Sequence, residues 1–143
     1  MDKKEKPRIL VFLSHPTVLA VTGFRLRLLG MNAIEISNDK AMADAMAVAL
    51  PDLVIIDLDL ADEAGLRWIE RLASDECTNH IPMMCLSTKG DLQDAEDAFK
   101  AGAREFLLIP YDPVLLEDKV DMLLHQSRIS AKEESARLAV AVK

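Results

Sequence analysis

Five short apolar runs alternate with longer amphipathic segments along the sequence, an order that few folds accommodate. The run Asp52–Leu60 (DLVIIDLDL) begins as unbroken apolar residues and ends in acids, which is typical of a strand buried on both faces of a parallel sheet. The other four runs are predicted to be strands as well: Arg8–Leu13, Ala33–Ile36, Pro82–Ser87 and Glu105–Ile109.

A helical segment follows each predicted strand. Pro16 suits the first turn of a helix, Gly30 suits a helix end, and Asn38 is a predicted N-cap. The predicted helices run from Pro16 to about Leu29, from about Lys40 to Leu50, from about Glu63 to Ala73, from Asp91 to Ala101, and from Pro113 to at least Gln126. Strict strand–helix alternation predicts an α/β fold with a five-stranded parallel sheet flanked by five helices, doubly wound and flavodoxin-like.

A length of 143 residues with 50% hydrophobic content predicts one domain with a sizeable core. We expect a disordered N-terminal arm over residues 1–7 and the folded domain over residues 8–127. Residues 128–143 are expected to extend the last helix or to form a tail.

Charge and composition exclude several classes of protein. The net charge of −7 argues against nucleic-acid binding. No apolar stretch is long enough to span a membrane, and the first residues do not form a signal peptide. Cys77 and Cys85 fit neither a disulfide framework nor a zinc motif, so we expect a cytoplasmic protein.

The residues that follow the strands decide the function, because ligands of such sheets bind at the carboxyl ends of the strands. Polar and charged residues occur at three of these points. The candidate residues are Ser14 and His15 after the first strand, Asp57 and Asp59 at the third, Ser87 and Lys89 at the fourth, and Ile109 and Pro110 at the fifth.

Three stretches carry a family resemblance: PDLVIIDLDLADEAG (51–65), IPMMCLSTKG (81–90) and AGAREFLLIPYDP (101–113). Over about residues 8–126 the sequence resembles the receiver domain of bacterial two-component response regulators. The resemblance implies that Asp57 holds the phosphoacceptor position, which takes a phosphoryl group from a histidine kinase. It also places Ser87 at the Ser/Thr position, Phe106 at the switch aromatic and Pro110 at a cis proline.

The sequence departs from that family where charge is needed. Leu13 and Ser14 replace the acidic pair that holds Mg²⁺, and Ile109 replaces the lysine. We therefore expect a degenerate pseudo-receiver that signals through protein contacts without depending on phosphorylation. It is expected not to be an enzyme, beyond weak self-phosphorylation on Asp57 at most, to need no cofactor, and to bind Mg²⁺ weakly.

Lys89 is a candidate substitute for the missing cation. We hypothesise that it pairs with Asp57 or Asp59, ties down the loop after the fourth strand and holds the protein in one fixed state. Ile109 would exclude water from the pocket.

Two alternatives remain open. One is a true phosphoacceptor on Asp57, with Mg²⁺ held by Asp57 and Asp59. The other is a metal or small-ligand sensor at a pocket formed by Ser14, His15 and Asp57.

Partners are expected to be proteins, either a histidine kinase or a downstream signalling protein. The predicted switch and output residues are Lys89, Phe106, Leu107, Ile109, Pro110 and Tyr111. A homodimer through the fourth helix, fifth strand and fifth helix would pair mixed charges there: Asp94, Asp97, Lys100, Arg104, Glu105, Asp118, Lys119 and Asp121. No output domain fits after about residue 127, so we expect the chain to act alone or to be a fragment.

Overall fold

The computed structural model describes residues 6–126. Its strands are β1 (Arg8–Phe12), β2 (Asn32–Ile36), β3 (Leu53–Asp57), β4 (Met83–Ser87) and β5 (Glu105–Leu108). Its helices are α1 (Pro16–Leu28), α2 (Asp39–Val48), α3 (Ala64–Ser74), α4 (Leu92–Ala101) and α5, which covers residues 113–126. The predicted tail over residues 128–143 and most of the predicted N-terminal arm lie outside the described residues.

The strands form one parallel sheet in the order β2-β1-β3-β4-β5. Every residue of β3 and β4 is buried, as expected for strands covered by helices on both faces. The predicted doubly wound α/β fold is confirmed. Within the described range, no helix is both long enough and apolar enough to cross a membrane.

Two apolar layers fill the space between the sheet and its helices. In one layer, α1 and α5 pack on the sheet, and the buried residues of α5 follow a helical spacing: Leu116, Val120, Leu123 and Leu124. In the other layer, α2, α3 and α4 pack on the opposite face around Trp68 and Ile69. The sheet is therefore held from both sides, and its carboxyl edge is left as the place where loops meet.

The segment after β3 differs from the prediction. The strand ends at Asp57 although the apolar run continues to Leu60, and an unpredicted 3₁₀ turn over Ala61–Glu63 precedes α3. Asp62 and Glu63 have φ angles of 57° and 56°, which turn the chain before the helix can begin. The early end of β3 leaves Asp59 in a loop beside Asp57.

Candidate functional site at the carboxyl edge of the sheet

Asp57 is the last residue of β3 and is fully buried. One carboxylate oxygen accepts hydrogen bonds from the Ser14 N–H at 2.7 Å and from the Ser14 hydroxyl at 2.9 Å. The other oxygen accepts a bond of 2.6 Å from the Asp59 N–H. Both oxygens of the carboxylate are thus held by donors from its own chain.

The register of β1 against β3 brings Ser14 next to Asp57. Phe12 of β1 lies opposite Ile56 of β3, so the residues that leave the two strands meet at the same edge. Leu13 is 1% exposed and belongs to the apolar layer, which fixes the backbone just before Ser14. Gly65 lets α3 approach, because a Cβ there would collide with the Asp57 carbonyl oxygen.

Asp59 forms a second polar centre beside Asp57. Its carboxylate accepts a bond of 3.0 Å from the Thr88 N–H, and the Ser87 hydroxyl and His15 Nε2 each lie 3.3 Å away. Burial alone would raise the pKa of Asp59, but the bonds from Thr88, His15 and Ser87 outweigh burial and lower it. The expectation that Asp59 faces the same pocket as Asp57 agrees with this geometry.

The expected ion pair between Lys89 and Asp57 or Asp59 is not formed. Among the described residues, the Lys89 side chain is exposed and pairs with neither acid, and its backbone N–H donates to Ser87 Oγ at 3.0 Å. Backbone donors that the fold already fixes satisfy Asp57. Holding a long lysine side chain in place would cost conformational entropy.

Ser87 and Ile109 lie close together through their backbones. The Ile109 N–H donates to the Ser87 carbonyl at 2.7 Å, and the Ile109 side chain is half-buried against the layer that contains Leu13. The peptide bond between Ile109 and Pro110 is cis, as predicted.

The predicted output residues divide into two groups. Leu107 was expected on the surface but is 7% exposed, because it faces the α1 and α5 layer. Phe106, Pro110 and Tyr111 line a surface groove of about 500 Å³ beside α4. The Tyr111 hydroxyl is hydrogen-bonded to the buried hydroxyl of Thr22 in α1, a contact that the sequence analysis missed.

Comparison with known proteins agrees with this geometry. Residues 9–121 match the family described as the response regulator receiver domain. The chain belongs to this family.

Relatives of known name share about a quarter to a third of the receiver sequence. The chain is 32% identical over 122 residues to the DNA-binding dual master transcriptional regulator RpaA of Synechocystis sp., covering 85% of this chain and 50% of that protein. It is 24% identical over 127 residues to the phosphate regulon transcriptional regulatory protein PhoB of Escherichia coli, covering 89% and 56%. The chain therefore spans about half the length of these curated relatives.

Solved structures match the receiver fold. A CheY-like response regulator receiver domain protein from Methanospirillum hungatei gives a TM-score of 0.80 at 17% identity, covering 88% of this chain and 99% of that one. NtrX from Brucella abortus, in complex with ADP, gives 0.83 at 19% identity, covering 93% and 29%. At these identities the likeness concerns the fold alone.

The receiver assignment makes the site's composition informative. A typical receiver keeps an acidic pair after β1, but here Leu13 is buried apolar packing and Ser14 is a donor to Asp57. The side chains at this edge that offer metal ligands are those of His15, Asp57 and Asp59, an imidazole and two carboxylates. The two carboxylates are ligands that Mg²⁺ accepts, whereas the imidazole is a ligand type more typical of transition metal ions.

The mixed-charge face contains an internal ion pair. Lys119 Nζ lies 2.6 Å from the Glu105 carboxylate, which joins α5 to β5 within one molecule. These two residues are therefore already paired, whereas Arg104 and Asp118 remain exposed. The homodimer through this face stays a prediction.

Proposed function

We propose that this receiver domain transmits a two-component signal through protein contacts and does not depend on phosphorylation of Asp57. The observation that carries the proposal is the state of the Asp57 carboxylate. It accepts three hydrogen bonds from Ser14 and Asp59, and no cationic side chain of the described residues pairs with it. The Asp57 carboxylate, which would be the nucleophile, is thus held by hydrogen bonds, and the charged side chains that would assist phosphoryl transfer are missing from the described residues.

Phosphoryl transfer depends on such charges. The transferred group carries negative charge over its oxygens, so positioning and electrostatic stabilisation supply nearly all of the catalysis. Ile109 offers a hydrocarbon surface where a receiver has a lysine, and Ser14 offers a neutral hydroxyl where it has an acid. Loss of one preorganised donor costs roughly 10²–10³ in rate, and here two kinds of stabilising group are lost.

The surface beside α4 offers a place for a protein partner. Its groove is lined by Phe106, Pro110 and Tyr111, and Leu92 and Leu108 at its rim are 74% and 46% exposed. Exposed apolar side chains next to one another are a common mark of a protein-binding surface. We expect the partner to be a histidine kinase or a downstream protein of the same signalling system.

The test is the intact mass of the protein after incubation with acetyl phosphate and Mg²⁺. We expect no phosphoryl adduct on the wild-type chain. The matched variant Ser14→Asp/Ile109→Lys restores one acid and the lysine, so we expect it to gain an adduct. That adduct should disappear when Asp57→Asn is added to the same variant.

A second candidate is a true phosphoacceptor, favoured by the retention of Asp57, Asp59 and Ser87 around one pocket. The same measurement distinguishes the two. An adduct on the wild-type chain that is lost in Asp57→Asn would overturn the proposal and establish phosphoacceptor activity.

A further inference from the structure

His15 brings an imidazole to the edge of the sheet where Asp57 and Asp59 lie. It is the N-cap residue of α1, and its side chain makes no capping hydrogen bond. Instead, its Nε2 lies 3.3 Å from Asp59 Oδ2. One ligand atom from each of the three residues lies within 4.8 Å of the other two.

The spacing of these atoms suits a small divalent ion. Two ligands at about 2.1 Å from one tetrahedral ion are about 3.4 Å apart, close to the separation of His15 Nε2 and Asp59 Oδ2. The other separations reach at most 4.8 Å, a gap that a bridging water closes. His15 and Asp59 are therefore placed to bind an ion directly, with Asp57 behind them.

The pocket is open on the side where an ion would enter. The His15 side chain is 42% exposed and the Asp59 side chain 11%, whereas Asp57 is fully buried. The imidazole is thus accessible to an ion from solvent, and the two carboxylates are progressively more buried.

Charge also favours a cation. Asp57 and Asp59 bring two carboxylates together, Ile109 supplies no charge, and Lys89 pairs with neither acid within the described residues. The fully buried Asp57 carboxylate is held by neutral donors alone, so its negative charge has no countercharge among the described residues.

The type of ligand selects the ion. Imidazole suits zinc, copper, iron and nickel, whereas Mg²⁺ prefers oxygen ligands and gives up its waters reluctantly. We propose that His15, Asp59 and Asp57 form a binding site for a divalent transition metal ion, which this receiver accepts in preference to Mg²⁺. The inference does not rest on the proposed function, because it concerns binding in the absence of any phosphodonor.

A metal ion bound at this site would be connected to the loop after β4 through Asp59. The Thr88 N–H and the Ser87 hydroxyl both lie against the Asp59 carboxylate, which has lone pairs enough to keep these bonds while it binds an ion. An ion at this site therefore joins the start of α1 to the loop that leads into α4.

The test is calorimetric titration of chelator-treated protein with Zn²⁺, and separately with Mg²⁺, together with thermal unfolding in each ion. We expect saturable binding of one Zn²⁺ per chain, a raised Tm, and weaker binding of Mg²⁺. His15→Gln should weaken Zn²⁺ binding at least about tenfold. Substituting a residue that only supports a metal ligand already costs about that much, and His15 is proposed to be a ligand itself.

The chain offers a matched control, since it has three histidines and the other two are exposed. His80→Gln/His125→Gln should bind Zn²⁺ as the wild type does. Circular dichroism of each variant verifies that it is folded. The proposal is overturned if wild type shows no saturable site, if Mg²⁺ binds as tightly as Zn²⁺, or if folded His15→Gln keeps wild-type affinity. The phosphorylation measurement is unaffected by any of these outcomes.

Discussion

The two cysteines differ in their exposure to solvent. Cys85 lies in β4 opposite Ile56 and is fully buried, whereas Cys77 is exposed before β4. We expect a maleimide to modify the native chain once, at Cys77, and to modify it twice in denaturant. Intact mass measures both results, and Cys77→Ser should leave the native chain unmodified. Rapid double modification of the native chain would contradict the buried position of Cys85.

The ionisation of Cys85 adds a pH dependence. Burial, with a smaller contribution from the charge of Asp57, raises the pKa of Cys85 from 9.0 to about 12. Above pH 9 the unfolded thiol therefore ionises while the native thiol stays protonated, and wild type loses stability. Cys85→Ala is less stable at neutral pH because it leaves a cavity, but it lacks this ionisation. We expect urea unfolding to show the gap between the two proteins narrowing by about 1.4 kcal/mol per pH unit above pH 9. A gap independent of pH would refute the raised pKa.

Tyr111 and Thr22 form a tie between α1 and the segment before α5. Tyr111→Phe leaves the fully buried Thr22 hydroxyl without its partner, so we expect a loss of about 1–3 kcal/mol in the free energy of unfolding. Thr22→Val should cost less, since half-buried Tyr111 can still bond to water. The double variant should be more stable than Tyr111→Phe alone. Strictly additive losses in urea denaturation would show that the hydroxyls are not coupled.

Among the elements, α2 has the capping residue that the sequence indicated. Asn38 accepts a bond of 2.8 Å from the Ala41 N–H. We expect Asn38→Ala to lower the free energy of unfolding by about 1 kcal/mol, because an N-terminal donor of the helix loses its partner. The exposed residue Asn79 makes no side-chain hydrogen bond to the described residues, so Asn79→Ala serves as the control, with a change within about 0.5 kcal/mol. Equal effects of the two substitutions would argue against the cap.

Element type was predictable, whereas some element ends were not. Apolar periodicity, Pro16 and Asn38 mark where helices begin, and the helices do start there or one residue away. The apolar run continues through Leu58 to Leu60, past the end of β3 at Asp57, so the run alone does not show where the strand stops. The positive φ angles at Asp62 and Glu63 were also missed, since neither residue is glycine.

For the molecule as a whole, topology predicted which residues would meet but not how they would bond. Parallel strands bring Ser14, Asp57 and Ser87 to one edge of the sheet, as the alternating pattern implied. The choice of Ser14 over Lys89 as the partner of Asp57 depends on loop backbones that periodicity does not describe. Leu107 was misplaced for a related reason, because a short strand at the sheet edge alternates its faces without a strong sequence signal.

Of the five described helices, α4 buries the fewest residues. Ala98 is its one buried residue, whereas α3 buries five, among them Trp68 and Ile69. We expect amide hydrogen exchange, followed by mass spectrometry, to show α4 opening at a lower free energy than α3. A variant that destabilises the whole domain distinguishes local opening of α4 from complete unfolding. Ile55→Val removes a methylene from the apolar layer on the other face of the sheet and should lower the free energy of unfolding by about 0.5–1.5 kcal/mol. That variant should speed exchange in α3 and leave α4 unchanged. If amide exchange in α4 instead accelerates together with exchange in α3, the two helices unfold as one unit. The loop after β4 then does not open independently of the rest of the domain.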